Sequence, residues 1–466
     1  MIDPAKNSRS VKNRLRNAFG FSVVLFAIVL AGGCATYHRL PLADKPDLSA
    51  SPAAATSPQA GTDAVPLALD LESVGRLARA RDPDLAASRA QVKVARAQAY
   101  DAGLLPDPTL GFSLDHPFNG GAASDHHNAW TASLTESLVG LITHGDVHSA
   151  ARAHYAATLL SWRWQAEQVT LKARVTYLDA WAAEREVKAL QQENRAARRV
   201  LTAARKAHAA GALAAALYQQ ALQQAGTVRS RLQSAADREV QARTALATML
   251  RVQSGRRWHL AAPASVSAPA PATVSAALDQ LPTRRLDLLA LQAGYRSADA
   301  RLRADILAQF PLLDIGFTRS RDNTGVNSVG FGITLRLPIF NGNRGKIAID
   351  RATRAALNAA YQAHLDRAAN TARAGYERLR LVRRELVDLK TRLPDLRQAA
   401  QASGKALARG DITRFQAFGA RSAWLDARID ADRLRANAAQ LAFTLQTLLV
   451  LPPKKTTSTP SRETST

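Results

Sequence analysis

The chain contains 466 residues and carries a formal net charge of +24; 47% of its residues are hydrophobic, but only 6% are aromatic. This composition favours long, closely packed helices over a series of compact globular cores. A charge of this size in a cytosolic protein would suggest nucleic-acid binding, but here the basic residues are spread along helices. We therefore interpret them as a solvated helix face, with contact to an anionic lipid as the second interpretation.

An export signal precedes the fold. Residues 1–33 combine a basic start, a mostly apolar segment and small residues before Cys34, which is the pattern of a signal peptide too short for a membrane-spanning helix. Cys34, the only cysteine, resembles the lipidated cysteine of a bacterial lipoprotein, although Ala31 stands where such signals usually carry leucine. Ala35 after it favours the outer membrane by the same resemblance. An ordinary signal peptide followed by an incidental cysteine is the alternative.

Segments rich in Pro, Ala, Ser or Thr divide the rest of the chain. Residues 34–66 are predicted to be the lipidated N-terminus and tether, 261–271 a linker, and 453–466 a disordered tail. The ranges between them, 67–260 and 272–452, are then two repeats of one unit.

The two repeats share short motifs about two hundred residues apart. Gly211 and Gly410 each end the pattern Lys-Ala-x-x-x-Gly, and Gly111 and Gly316 each precede a phenylalanine. A period this long indicates duplication of a domain-sized unit rather than a solenoid repeat. Each copy is predicted to run helix, two strands, long helix, break and shorter helix.

Helical periodicity covers most of each repeat. The predicted helices are 83–102, 145–210 and 212–251 in the first repeat, and 285–308, 346–409 and 411–450 in the second. In each repeat the two shorter helices together match the long helix in length. They are therefore predicted to stack end to end along it, over a distance on the order of 100 Å.

Each repeat also carries a pair of strands before its long helix. The predicted strands are 109–115, 130–138, 313–321 and 328–337. In the last strand Val329, Phe331 and Ile333 alternate with glycine and threonine, which is typical of a transmembrane β-strand. A half-buried strand of a soluble sheet is the alternative. Four strands cannot close a barrel, so a membrane-spanning sheet would need several chains, and three chains would supply twelve strands.

Several motifs resemble those of TolC-type outer membrane efflux proteins. They are Gly103-Leu-Leu-Pro-Asp-Pro-Thr-Leu-Gly111, Arg285-Leu-Asp-Leu-Leu289, Gly332-Ile-Thr-Leu-Arg-Leu-Pro-Ile-Phe-Asn-Gly342 with Arg344-Gly345, and the glycines of the helical turns. The similarity covers about 66–452. It implies a mainly α fold with a transmembrane β-barrel, in which three chains share a twelve-stranded barrel that a periplasmic α-helical tunnel continues. The implied function is the outer membrane channel of a tripartite efflux pump, which passes small-molecule or metal-ion substrates from a periplasmic adaptor and an inner-membrane pump out of the cell.

The resemblance assigns two sets of positions. The barrel–tunnel transition, where proline and glycine redirect the chain and a positive φ is expected at its glycines and asparagine, falls at Pro106, Pro108, Pro338, Asn341, Gly342 and Gly345. The adaptor-docking tip falls at the two helix breaks, at Gly211, Ala212, Leu213, Gly410, Asp411, Ile412 and Thr413.

A gate is also expected near the tip. Family members carry acidic gate residues after the second glycine, but the matching positions here are Gln416 and Gly419, so no carboxylate ring is predicted. Arg414 is a nearby charged candidate, and a solvated turn is an equal alternative. Pro394 removes a backbone hydrogen bond from the second long helix and is predicted to kink it. Arg414, Gln416 and Pro394 are thus the gate candidates.

Catalytic and metal-binding patterns are weak. His144 and His148 could share a helix face, but no Cys, Asp or Glu completes a zinc-like set, so we interpret the histidines as surface residues and predict no metal and no cofactor. The sequence contains no Gly-rich phosphate loop, nucleophile elbow or paired carboxylates, so the chain is predicted not to be an enzyme.

Two other functions stay open at this point. A periplasmic coiled-coil structural or adaptor lipoprotein would also combine a lipidation signal, a long helical hairpin and β elements, but with one hairpin rather than two tandem copies. A basic coiled-coil protein that binds nucleic acid would need the N-terminal apolar segment to be something other than an export signal. The favoured prediction is a lipid-anchored homotrimer in the outer membrane of a Gram-negative bacterium, extending into the periplasm, in contact with outer membrane lipid and with no nucleic-acid partner.

Overall fold

The computed structural model describes residues 42, 68–116, 118, 128–252, 258–264, 267–310 and 312–452. The chain divides into two compact units, 1–48 and 49–466, and every element below belongs to the second. The predicted signal peptide, Cys34 and the predicted tail lie outside the described residues.

Helices form most of this unit. They are α1 (Leu71–Arg81), α2 (Pro83–Asp101), α3 (Leu138–Ala209), α4 (Ala215–Met249), α5 (Pro271–Asp279), α6 (Leu281–Arg284), α7 (Leu286–Leu307), α8 (Arg344–Arg409) and α9 (Arg414–Leu448). The strands are β1 (Ala68–Leu69), β2 (Thr109–Asp115), β3 (Ala129–Ser137), β4 (His259–Leu260), β5 (Leu312–Arg321) and β6 (Asn327–Arg336). The predicted order of helix, strand pair, long helix and shorter helix is confirmed in both repeats.

Three predicted helix starts are wrong, and one of them is that of α4, which begins at Ala215 instead of residue 212. The first long helix, α3, begins at Leu138, directly after β3, instead of at residue 145. Gly140, in the first turn of α3, packs against the ring of Pro106, where an added Cβ would lie 3.1 Å from the proline Cγ. The last helix, α9, begins at Arg414 instead of residue 411, since the preceding residues form a turn and a helix cap.

Each repeat opens with helical segments that the sequence analysis did not predict, namely α1 and the pair α5–α6. The start of α1 is a capping box, in which the Asp70 carboxylate accepts from the Ser73 amide at 2.7 Å and the Ser73 hydroxyl accepts from the Asp70 amide at 3.0 Å. Polar residues three apart before an apolar stretch are the sequence signal that could have located this helix.

A short parallel pairing of β1 with β4 ties the start of the first repeat to its end. Leu69 pairs with Leu260, and the amide of Ala261 donates to the Leu69 carbonyl at 3.3 Å. The buried Tyr177 hydroxyl of α3 lies 2.7 Å from the Leu69 carbonyl oxygen and 2.9 Å from that of Ala261. Burial raises the pKa of Tyr177, so its hydroxyl stays protonated and able to donate.

The long helix α3 contacts both repeats. The helices α2 and α4 pack along it from the first repeat, and α7 and α9 pack against it from the second. Small residues on α7 allow a close approach, since Ala293 and Ala300 are buried and the Ser297 hydroxyl donates to the Ala150 carbonyl at 2.8 Å. With 72 residues, α3 is about 110 Å long. Within the described ranges, no helix is both long and apolar enough to cross a membrane.

Ion pairs at heptad spacing set the register between α3 and its neighbours. Glu186 of α3 accepts from Arg238 of α4 at 2.7 Å and from Arg433 of α9 at 2.6 Å. One heptad further, Glu193 lies 3.6 Å from Arg231. The two glutamates are only 8% and 1% exposed. Sliding a helix by one turn would leave a buried carboxylate unpaired, which is strongly destabilising.

The four longer strands form one antiparallel sheet in the order β2-β3-β5-β6. Its central pairing joins the repeats, with Trp130 opposite Arg321 at one end and Ser137 opposite Asp314 at the other. The outer edges belong to β2 and β6, which have no further strand partner in the described part of the chain.

Candidate functional site

The sheet and the two helix breaks lie at opposite ends of the helical bundle. The helix α3 starts at the sheet and ends at the break around Gly211. Near that break Ala197 of α3, Ala225 and Val228 of α4, and Phe418 of α9 form one buried cluster. Because α4 and α9 both begin within a few turns of this cluster, both breaks belong to the same end, which we call the tip.

The two breaks share one backbone conformation. Gly211 and Gly410 have φ values of +73° and +83°, in the left-handed region. In each break the amide after the glycine donates to a carbonyl five residues earlier, at 2.8 Å in the first and 3.0 Å in the second. This is the bond of a Schellman motif, and its left-handed residue is strained for any side chain with a Cβ. The predicted breaks are confirmed at both glycines.

The second turn is held by side chains. Thr413 caps α9 in a capping box, where its amide donates to the Gln416 side-chain oxygen at 2.9 Å and its hydroxyl accepts from the Gln416 amide at 3.3 Å. Arg409 donates to the Asp411 carboxylate at 2.7 Å across the turn. Gln416 thus has a structural role, and Thr-x-x-Gln is a capping-box pattern that the sequence analysis overlooked. Ile412 is half-buried in the turn.

The first turn uses different contacts. Ala214 stands at the N-cap of α4 and provides no side-chain hydrogen bond. His208 instead places its Nδ1 2.9 Å from the Leu213 carbonyl oxygen, and its ring stacks on Tyr218 with centroids 5.0 Å apart. Ala212 is exposed. The two turns of the tip therefore share a backbone conformation but are held by different side-chain contacts.

The remaining gate candidates lie close to the second turn. Arg414 is exposed at the first position of α9. Pro394 is exposed inside α8, about four turns before Gly410, and the helix continues past it to Arg409. Pro394 thus does not end the helix, although a proline at this position cannot donate its backbone hydrogen bond.

Prolines stand in both transition segments between the helices and the sheet. Pro106 and Pro108 lie between α2 and β2, and the Pro106 ring is the one that Gly140 of α3 approaches. Pro338 follows β6, beyond the last paired residue. At each position the missing amide leaves no unpaired donor in the sheet.

In the second transition segment, between β6 and α8, two of the predicted positions of left-handed backbone are wrong. Left-handed backbone is confirmed at Gly342, with φ of +52°, but Asn341 and Gly345 do not have positive φ, and Gly345 lies in the first turn of α8. Asn343 takes that role, with φ of +58°, and its side-chain amide donates to the Asp305 carbonyl at 2.7 Å. Asparagine tolerates this conformation when its amide finds a local partner, so Asn-Gly-Asn was the signal that could have identified it.

One face of the sheet is apolar and exposed. The register aligns Leu110, Leu134, Phe317 and Phe331 in a row across all four strands. These side chains are 66%, 48%, 53% and 69% exposed. The neighbouring rows add Phe112, Leu114, Ile333 and Leu335, which are also exposed. A patch of this extent marks an interaction surface rather than an ordinary protein exterior.

The opposite face is rich in hydroxyl groups. Its side chains include Ser113, Thr131, Ser133, Thr135, Thr318, Ser320, Ser328 and Thr334. Acidic residues stand near its ends, with Asp115 in β2 and Asp314 in β5. The sheet therefore separates a hydrophilic surface from a mainly apolar one, which carries charge only toward its ends, at Glu136 near the helices and at Arg319 and Arg321 near the β5–β6 turn.

The histidines of the described segments form no cluster that could hold a metal. Among the residues that the structure describes, no group of three or more His, Cys, Asp or Glu side chains could hold a metal ion. The rings of His144 and His148 are 6.0 Å apart, and His116 Nδ1 lies 2.7 Å from the Asn128 side-chain oxygen.

A family model described as outer membrane efflux protein matches the sequence twice, over residues 74–250 and 277–449. The chain belongs to the outer membrane efflux protein family. The two matches fall on the two repeats, each with its strand pair, long helix and break. No curated protein matches the sequence.

Solved structures share the fold of this efflux protein. A membrane protein from Pseudomonas aeruginosa matches with a TM-score of 0.68 and 20% identity, over 81% of this chain and 90% of that chain. The Campylobacter jejuni CmeC outer membrane channel matches with a TM-score of 0.67 and 15% identity, over 81% of this chain and 85% of that chain. CusC matches with a TM-score of 0.66 and 16% identity, over 81% of this chain and 91% of that chain. At these identities the likeness establishes the fold of the efflux protein.

Proposed function

We propose that three copies of this efflux protein form the outer membrane channel of a tripartite efflux pump. The observation that carries the proposal is the sheet, in which an exposed apolar face stands opposite a face of hydroxyl groups. In a membrane, the apolar face would contact lipid and the hydroxyl face would line a water-filled channel. Family membership supports the same function.

The edges of the sheet explain why several copies are needed. Unpaired backbone groups cannot face lipid, so the outer edges of β2 and β6 need partners within the hydrocarbon region. The edge strand β2 of one copy would pair with β6 of the next. Three copies would then close a twelve-stranded barrel, and α3 and α8 would continue it as a periplasmic tunnel.

The tip is the proposed docking site for a periplasmic adaptor. Its residues are Gly211, Ala212, Leu213, Gly410, Asp411, Ile412 and Thr413. Substrate, either a small molecule or a metal ion, would pass from an inner-membrane pump through the adaptor into the tunnel. Lipidation at Cys34 after removal of residues 1–33 would hold the N-terminus at the outer membrane.

Pro394 is proposed to weaken α8 locally, so that the tip opens more readily. Pro394→Ala would restore the backbone donor and is expected to lower both single-channel conductance and cellular efflux. Gln398→Ala, at an exposed position of the same helix, is the matched control. Unchanged conductance and efflux in Pro394→Ala would remove Pro394 from the gate.

The first experiment is the native mass of the full chain extracted from membranes in mild detergent, together with the mass of its N-terminal peptide. We expect a trimer whose protomers begin at an acylated Cys34. A monomer or dimer released from membranes without detergent would contradict the shared barrel and favour the periplasmic coiled-coil alternative. A trimer with an unmodified Cys34 would contradict only the lipid anchor.

A further inference from the structure

The apolar face of the sheet ends in two arginines. Side chains two apart on a strand share a face, so Arg319 and Arg321 lie on the same face as Phe317. The register sets Arg321 beside Trp130 of β3. This end of the sheet is the one next to the β5–β6 turn, away from the helices. We call Arg319, Arg321 and Trp130 the basic rim.

The two arginines have no partner in the described part of the protein. Arg319 is exposed, while Arg321 is half-buried and its Nε is shielded from solvent without a hydrogen bond. The nearest acidic residue in sequence, Asp322, is engaged elsewhere, since one carboxylate oxygen accepts from the Thr324 amide at 2.9 Å and from the Val326 amide at 2.8 Å. A shielded guanidinium nitrogen without an acceptor is costly, so the basic rim is suited to an anionic ligand.

The position of the basic rim indicates where that ligand would come from. The eight residue steps from Leu313 to Arg321 span roughly 20 Å along the barrel axis once strand tilt is included, which is close to the apolar band of a membrane barrel. If the sheet spans the outer membrane as proposed above, the basic rim lies at the outer-leaflet headgroups, and Trp130 takes the interfacial position that aromatic residues favour.

We propose that Arg319 and Arg321 bind the phosphate groups of a phosphorylated glycolipid in the outer leaflet. The planar guanidinium forms two parallel hydrogen bonds to a phosphate, and such charge-assisted bonds are stronger than neutral ones. Two arginines about 7 Å apart on one strand face can engage a lipid that carries more than one phosphate. The acyl chains would lie on the row of Leu110, Leu134, Phe317 and Phe331. The inference rests on the proposed function.

The test measures lipid binding to the full-length protein in detergent by native mass spectrometry. The probes are diphosphoryl lipid A, its dephosphorylated form and phosphatidylglycerol. Wild type is expected to bind diphosphoryl lipid A best, and the double variant Arg319→Gln/Arg321→Gln at least about tenfold more weakly. Arg229→Gln, at an exposed helical arginine, is the matched control and should bind like wild type.

Equal binding of diphosphoryl lipid A by wild type and the double variant would overturn the inference. Equal wild-type affinity for phosphatidylglycerol or for dephosphorylated lipid A would overturn the glycolipid assignment. If the double variant does not assemble, Arg319→Gln alone should still weaken binding at least about threefold. Wild type that is neither trimeric nor conducting would instead defeat the proposed function. A trimeric, conducting channel with unchanged lipid binding would defeat only this inference.

Discussion

Gly211 and Gly410 occupy equivalent left-handed positions, with φ of +73° and +83°, at the ends of the two long helices. The helices that follow them repeat the relationship, since Arg251 after α4 and Val450 after α9 have φ of +51° and +50°. A β-branched valine rarely adopts this conformation. The duplicated fold therefore imposes a left-handed residue after both long helices and after both shorter helices, even where that residue is not a glycine.

The strain at the tip can be measured with two substitutions of the same type. Gly410→Ala should lower the free energy of unfolding by about 1 kcal/mol, because alanine resists a left-handed backbone. Gly404→Ala lies six residues earlier on α8, where an added Cβ meets nothing within 4 Å, and should raise the free energy of unfolding by up to about 1 kcal/mol. Thermal unfolding in detergent compares them, and a same-signed change in both variants would contradict the argument.

The N-caps of α4 and α9 differ, so replacing threonine by alanine at one and alanine by threonine at the other should change stability in opposite directions. Thr413→Ala removes a capping box and should cost about 1 kcal/mol of stability. Ala214→Thr adds a hydroxyl at an extended N-cap position that lacks a side-chain bond, and should stabilise the start of α4 by a similar amount. Hydrogen exchange of the first turn of each helix reads out the effect locally. Unchanged exchange at the start of α9 in Thr413→Ala would show that the capping box contributes nothing.

The buried ion pairs should matter more than the exposed ones. Glu186→Ala leaves Arg238 and Arg433 without their shared acceptor and should cost about 1–3 kcal/mol, since the carboxylate is buried although both arginines are half-exposed. Glu377→Ala removes an exposed pair with Arg380 and should change stability by less than about 0.5 kcal/mol. Denaturant unfolding of both variants provides the comparison. Equal losses would mean that burial does not set the strength of these pairs.

The two faces of the sheet predict opposite tolerance to charge. Ile333→Lys places an ammonium on the apolar face, one row from its centre, and should cost about 1–2 kcal/mol if that face contacts lipid, which would deplete trimers from the membrane fraction. Thr334→Lys, one residue later on the hydroxyl face, should assemble normally and shift ion selectivity toward anions. Native mass and bilayer conductance report the two effects. A soluble sheet would accept both lysines equally, and that result would argue against a channel.

Local features of the sequence were sufficient to predict the repeated order of helices and strands and the breaks at Gly211 and Gly410. Helical and strand periodicity are properties of neighbouring residues, and a left-handed turn selects glycine by its own sterics. The same reasoning found the apolar and hydroxyl faces of β6, because alternation alone assigns side chains to faces.

Contacts between distant residues were decided only by the tertiary structure. Tyr177 reaches the carbonyls of Leu69 and Ala261, and Gly140 in the first turn of α3 packs against Pro106, yet none of these partners is near in sequence. The placement of Arg321 beside Trp130 depends on register between strands of different repeats. Such pairings follow from packing and strand register over the whole chain, which local propensity does not contain.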